Sequence, residues 1–111
     1  MSRKFFLIKK QKIEEKKYTK WFDYDKIKDS PCVRTRRQGD YLTVNSEGGK
    51  KKLNRIFIDE KIPAEMRDRL PVVAAGSEIL WIPGGRMNEK YKITSTTGRV
   101  LELHYQGGAL A

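Results

Sequence analysis

The sequence predicts an α+β domain with more strand than helix, and three observations predict it. Short apolar or alternating runs recur between clusters of Gly, Pro, Asn and Asp. One segment changes period: Leu53, Ile56 and Phe57 fall at i, i+3 and i+4, the spacing of a helix face. Residues 72–75 and 79–82, joined by Gly76-Ser77, read as a compact apolar hairpin, the expected centre of the core. At 111 residues the chain suits one domain, 1–111, with a modest interior.

Each element follows from local chemistry. Residues 4–13 read as a strand, with Phe5, Phe6, Leu7 and Ile8 as its apolar patch and Lys9, Lys10 and Lys12 beyond it. Residues 14–17 form a charged turn, and YTKWFDY at 18–24 is alternating enough for a second strand. Residues 25–28 suit a loop or single helical turn. Residues 31–37 form a strand that sends Val33 and Thr35 to one face and Arg34 and Arg36 to the other. Residues 40–44 form the next strand, and 45–49 (NSEGG) a flexible turn. The helical period then covers 51–60. Pro63 opens a second short helix that Pro71 ends. Pro83-Gly84-Gly85 breaks the apolar hairpin, a turn surrounds 88–91, and Val100, Leu101, Leu103 and Tyr105 mark the final strand.

The net charge is +10, and its distribution says more than its total. Residues 1–55 hold 17 Lys and Arg against 7 Asp and Glu, while residues 56–111 hold 7 against 7. All the excess therefore lies in the first half. Such a footprint suits a polyanion, nucleic acid above all; a solubilising surface without a ligand is the plainer alternative. Two basic clusters flank one hairpin-like unit: Arg34, Arg36 and Arg37 before Gly39-Asp40, and Lys50, Lys51 and Lys52 after the 45–49 turn.

Catalytic signatures are nearly absent. There is no Gly-rich phosphate loop before a Lys-Ser/Thr pair and no paired Cys/His metal spacing. His104 alternates to the face opposite Leu103 and reads as a surface strand residue. Asp40 reads as a turn former bonding its own backbone, or as a partner orienting an arginine. Cys32, the single cysteine, excludes an internal disulfide, fits a reducing cytoplasm and is expected to be a buried structural thiol. Trp81, inside ILWI, is core; Trp21 suits either core or base stacking. Gly84-Gly85-Arg86 presents an arginine on a tight turn. No run approaches the roughly 18 apolar residues of a membrane span.

The order and spacing of several short motifs resemble one family. They are Arg34-x-Arg36-Arg37-x-Gly39-Asp40, Lys51-Lys52-Leu53, Phe57-Ile58, Lys61-Ile62-Pro63, Arg67-Asp68-x-Leu70-Pro71-Val72-Val73, and Glu78-Ile79-x-Trp81-Ile82-x-Gly84 with Arg86. Together they resemble the C-terminal domain of bacterial tRNA(Ile)-lysidine synthetase, over roughly residues 5–103. That resemblance implies a β-rich, sandwich-like core with one or two short helices, similar to a domain of the phenylalanyl-tRNA synthetase β subunit. It implies a larger parent, an ATP-dependent carbon–nitrogen ligase joining lysine to the wobble cytidine of isoleucine tRNA. The family's catalytic Ser-Gly-Gly-x-Asp-Ser motif is absent from this sequence. ATP, magnesium and lysine are therefore expected in a catalytic domain elsewhere in the same polypeptide, with no cofactor and no catalytic residue in this chain. The implied partner is isoleucine tRNA, held by its acceptor stem. The expected RNA contacts are Arg34, Arg36, Arg37, Lys50, Lys51, Lys52, Arg55 and Arg86, with a basic interdomain docking module or a general nucleic-acid binder as the rival readings.

Overall fold

A computed structural model of the chain describes residues 3–9 and 18–105. The elements, in order, are β1 (Arg3–Lys9), β2 (Thr19–Asp23), β3 (Cys32–Arg34), β4 (Tyr41–Thr43), β5 (Lys50–Lys52), α1 (Leu53–Asp59), α2 (Ala64–Arg67), β6 (Val72–Ala75), β7 (Glu78–Trp81) and β8 (Arg99–Tyr105). The fold is α+β, as the sequence predicts. Residues 10–13 of the expected first strand and the expected turn at 14–17 lie outside the described residues.

The strands form two sheets. One has three antiparallel strands in the order β1-β8-β2, and the other five in the order β3-β6-β7-β4-β5. In the larger sheet β4 meets β7 parallel, at Tyr41 and Glu78, while its other pairs are antiparallel. Alternation along β6 decides the layering. Val73 and Ala75 face the three-stranded sheet, where they join Phe22, Leu80, Trp81, Leu101, Leu103 and Tyr105 in one core. Val72 and Ala74 face the other way, into a second core with Leu42, Leu53, Ile56, Phe57, Ile79 and Ile82. The five-stranded sheet is thus a middle layer, with the small sheet on one side and α1 on the other. This explains why β6 is apolar at every position, all of it buried. A register shift between Val73 and Ala74 lets Leu80 and Trp81 share one core. Phe22 and Trp81, both fully buried, meet at 6.3 Å between centroids and a 54° tilt, a favourable edge-on aromatic contact.

Helix α1 is short and held by its buried stripe of Leu53, Ile56 and Phe57. It ends in a paired-hydrogen-bond stop: Ile62 N donates to Phe57 O (2.9 Å) and Lys61 N to Ile58 O (3.0 Å). Lys61 takes the left-handed φ of 59° that such a stop needs, a position usually given to glycine. Ile62 then packs back on the α1 core and completes the motif.

Three sequence expectations need correction. The strand expected over 31–37 stops at Arg34, where the chain turns toward Gly39, so Arg34 and Arg36 do not share a strand face. Cys32 is exposed, because β3 is an edge strand that the apolar cover does not reach. The helix begins at Leu53 and not at residue 51; Lys50, Lys51 and Lys52 form strand β5, paired with β4 from Tyr41↔Lys52 to Thr43↔Lys50. Lysines on an edge strand also discourage further pairing. His104 lies where alternation puts it, half-buried on the outer face beside Thr19 and Glu102. Trp21 is half-buried on that same outer face, across from Glu102.

Candidate nucleic-acid interface

The arginine-rich segment splits into a structural half and an outward half. Gly39, at φ 91°, allows the tight turn 37–40, which Asp40 N closes by donating to Arg37 O at 3.2 Å. Arg37 N donates to Asp40 Oδ2 at 2.7 Å, so the carboxylate also bonds its own turn. Arg34 forks onto the same carboxylate, with Nη1 to Oδ2 and Nη2 to Oδ1 both 2.9 Å. Its remaining Nη hydrogens go to Thr35 O and Gly76 O. The hydrogen bond to Asp40 raises the Arg34 pKa further above its already high value. With four of its five N–H groups used and its side chain only 10% exposed, Arg34 organises the turn and has little left to offer a ligand.

The turn throws Arg37 outward, where its side chain has no hydrogen bond or ion pair among the described residues. Arg36 goes to the side of α1. Its Nε donates to Asp68 Oδ1 (2.8 Å) and its Nη1 to Asn54 Oδ1 (2.9 Å). Arg36, Arg37, Gln38, Asn54 and Asp68 line a shallow recess of about 270 Å3.

The other flank of α1 carries a second cluster. Leu42 and Lys51 are paired residues on the helix-covered face, and Lys51 at its margin reaches Asp59, near the end of α1. Arg55, one turn before Asp59, approaches the same carboxylate at 3.5 Å. Arg86 is delivered by the turn Ile82-Pro83-Gly84-Gly85. There Pro83 presets one φ, Gly84 takes φ 82°, and Gly85 N donates to Ile82 O at 2.7 Å. The hydrogen bond from Lys51 holds the Asp59 carboxyl below its ordinary pKa, and the charges of Lys51, Arg55 and Arg86 add to the effect. Two cations thus pair with one carboxylate while the charge of Arg86 acts on it from farther off, and positive charge gathers at the end of α1.

Strand alternation separates the three lysines of β5. Lys51 faces the Asp59 cluster, while Lys50 and Lys52 point to the opposite side of the sheet. Lys50 there lies over the Tyr41 ring at 5.3 Å. Arg36, Arg37, Lys51, Arg55 and Arg86 therefore flank α1, Lys50 and Lys52 lie behind it, and Arg34 is internal. Asn54, which positions Arg36, was not picked out from the sequence; its only signal there is a place on the unburied side of a seven-residue helix. Among the described residues no group of three His, Cys, Asp or Glu side chains is arranged to hold a metal, and no helix is long and apolar enough to cross a membrane.

Comparison with known proteins bears on the same region. A family model described as the TilS substrate C-terminal domain matches residues 32–103. A tRNA(Ile)-lysidine synthase of Caldanaerobacter subterraneus subsp. tengcongensis is 50% identical over 88 residues, which is 79% of this chain and 19% of that protein. The tRNA(Ile)-lysidine synthase of Clostridium tetani is 41% identical over 90 residues, 81% of this chain and again 19% of the relative. The chain thus spans about a fifth of these relatives. A solved structure described as the crystal structure of a TILS C-terminal domain superposes with a TM-score of 0.74 at 32% identity. It covers 98% of this chain and 84% of the other.

Proposed function

The chain belongs to the TilS substrate C-terminal domain family, and from that premise we propose that it grips transfer RNA for a lysidine-forming enzyme. The observation that carries the proposal is the gathering of cations at the end of α1, where Lys51 and Arg55 both pair with Asp59 and the charge of Arg86 acts on the same carboxylate from farther off. Arg37 adds a cation that has no partner among the described residues, and Arg36 is oriented by Asn54 and Asp68. A-form RNA hides its bases in a deep, narrow major groove, so stems are gripped through phosphates and the shallow minor groove. Arginine forks suit phosphate oxygens in pairs, and lysine supplies a longer point charge.

In this reading the domain holds isoleucine tRNA by its acceptor stem in the cytoplasm. Another domain of the same polypeptide uses ATP and magnesium to join lysine to the wobble cytidine. One observation favours a second reading: Ile58, 48% exposed, is a large apolar side chain on the outer side of α1, as a protein-docking surface would have. Titrations with isoleucine tRNA and with a DNA duplex of equal charge separate the two. The RNA-gripping reading expects binding at physiological salt with preference for tRNA. No tRNA binding there, with capture of the parent's catalytic domain instead, supports docking.

A further inference from the structure

The proposed function leaves a second basic recess unused, on the side of β5 away from α1. It encloses about 460 Å3 and is lined by Lys26, Lys50 and Lys90 together with Thr43, Asn45 and Ser46. In sequence these residues are scattered, and Lys90 lies in the charge-neutral half. The parallel pairing of β4 with β7 carries the short turn Glu89–Tyr91 up to the β4–β5 hairpin.

The recess has the chemistry of an anion site. Its one lining carboxylate, Glu89, is engaged by Lys92 at 2.8 Å. Among the described residues Lys50 has only the Tyr41 ring as partner. Lys26 and Lys90 are half-exposed and loosely held, 3.9 Å from Asp23 and 3.6 Å from Glu78. The hairpin turn forming one wall is rigid. Asn45 Oδ1 accepts from Glu47 N (3.1 Å) and Gly49 N (2.8 Å), and Gly48 takes φ 85°. A Cβ on Gly49 would come within 2.6 Å of Asn45 Nδ2, so the turn is built around that amide. The Asn45 Nδ2 hydrogens donate to nothing among the described residues.

Resting on the RNA-gripping reading, we propose that this recess is a second phosphate site for the same RNA. The path between the two sites is β5 itself. It is an edge strand, and adjacent residues serve the two sides, Lys50 the recess and Lys51, at the margin of the helix-covered face, the Asp59 cluster. An RNA backbone crossing that edge meets both.

The test is tRNA titration of the chain at several salt concentrations, with a thermal melt of each variant. Lys26→Ala with Lys90→Ala should weaken binding about tenfold and flatten the log–log salt slope by about two, roughly one for each phosphate that is no longer neutralised. Ser46→Glu leaves every ion pair in place and adds a carboxylate to the recess; it should weaken binding at least as much as removal of one lysine, with an unchanged melt. Unchanged affinity and slope in both variants, alongside weakened binding by Arg37→Ala, overturns the second site and leaves the α1 grip standing. Failure of the unmodified chain to bind tRNA even at low salt overturns both.

Discussion

The end of the three-stranded sheet and the end of helix α1 use the same residue types to opposite effect. At the end of the sheet, Arg99 has a carboxylate to itself. Arg99 donates from Nε to Asp25 at 2.8 Å and stacks over the Tyr24 ring at 5.0 Å. Asp23, buried, accepts from Thr97 at 3.0 Å. At α1, Lys51 and Arg55 share the Asp59 carboxylate, and the charge of Arg86 adds to theirs. A basic sequence does not mark an interface by its total charge; the local ratio of cations to carboxylates does. Arginines balanced one to one should matter to stability, and arginines in surplus should matter to binding.

The largest effect should come from breaking a balanced pair that is also buried. Arg34→Ala leaves Asp40, only 4% exposed, without its fork. It should cost about 3–5 kcal/mol, since one member of a buried pair is left uncompensated. The melt should drop by many degrees, and tRNA affinity of the folded fraction should change little. A stable variant with weak binding would place Arg34 in the surplus group.

Next comes the surplus itself. Arg37→Ala, Arg55→Ala and Arg86→Ala combined should lower tRNA affinity by more than tenfold and flatten the salt slope by up to about three. Its melting temperature should hold, because none of the three closes a buried pair. Coincident loss of stability and binding would mean that these cations also hold the fold.

A smaller effect sharpens the balanced side through pH. Burial, and then the hydrogen bond from Tyr91 to Glu78, push the Tyr91 pKa well above the tyrosine range. A raised folded value means that the contribution is fully present below the unfolded value of about 10 and is lost as pH climbs from there. Stability should therefore decline above about pH 10, and less steeply in Tyr91→Phe. Equal slopes for the two proteins in alkaline melts would remove Tyr91 from this role.

The smallest effect belongs to Arg99→Ala. Its pair with Asp25 is largely exposed, so the loss should stay within about 1 kcal/mol. Binding should not move. A tRNA affinity lowered as much as by Arg37→Ala would show the charge contrast to be false.

Periodicity made much of this legible in the sequence. The apolar hairpin became β6 and β7, the i, i+3, i+4 triplet became the buried stripe of α1, and the turns at Gly39 and Gly84 formed where the residues required them. Asp40 bonds its own turn and orients an arginine, both roles its neighbours suggested. What stayed hidden depends on contacts between segments. Arg34 and Arg37 look alike in sequence, and only the fold shows that Arg34 is spent on Asp40 and Gly76. Three consecutive lysines have little strand propensity, yet pairing with β4 makes them one. Lys90 lay in a half with no excess charge, and the β4–β7 pairing brings it beside Lys50. Charge counted along a chain does not report charge counted on a surface.

The proposed grip on RNA through fixed surplus cations is tested most directly by the salt dependence of tRNA binding. With about 4–6 phosphates neutralised, log Kd against log salt should change with a slope of magnitude roughly 3–5, binding weakening as salt rises. The combined Arg37, Arg55 and Arg86 variant should show a visibly shallower line. A slope near zero, or one that this variant leaves unchanged, would contradict the account.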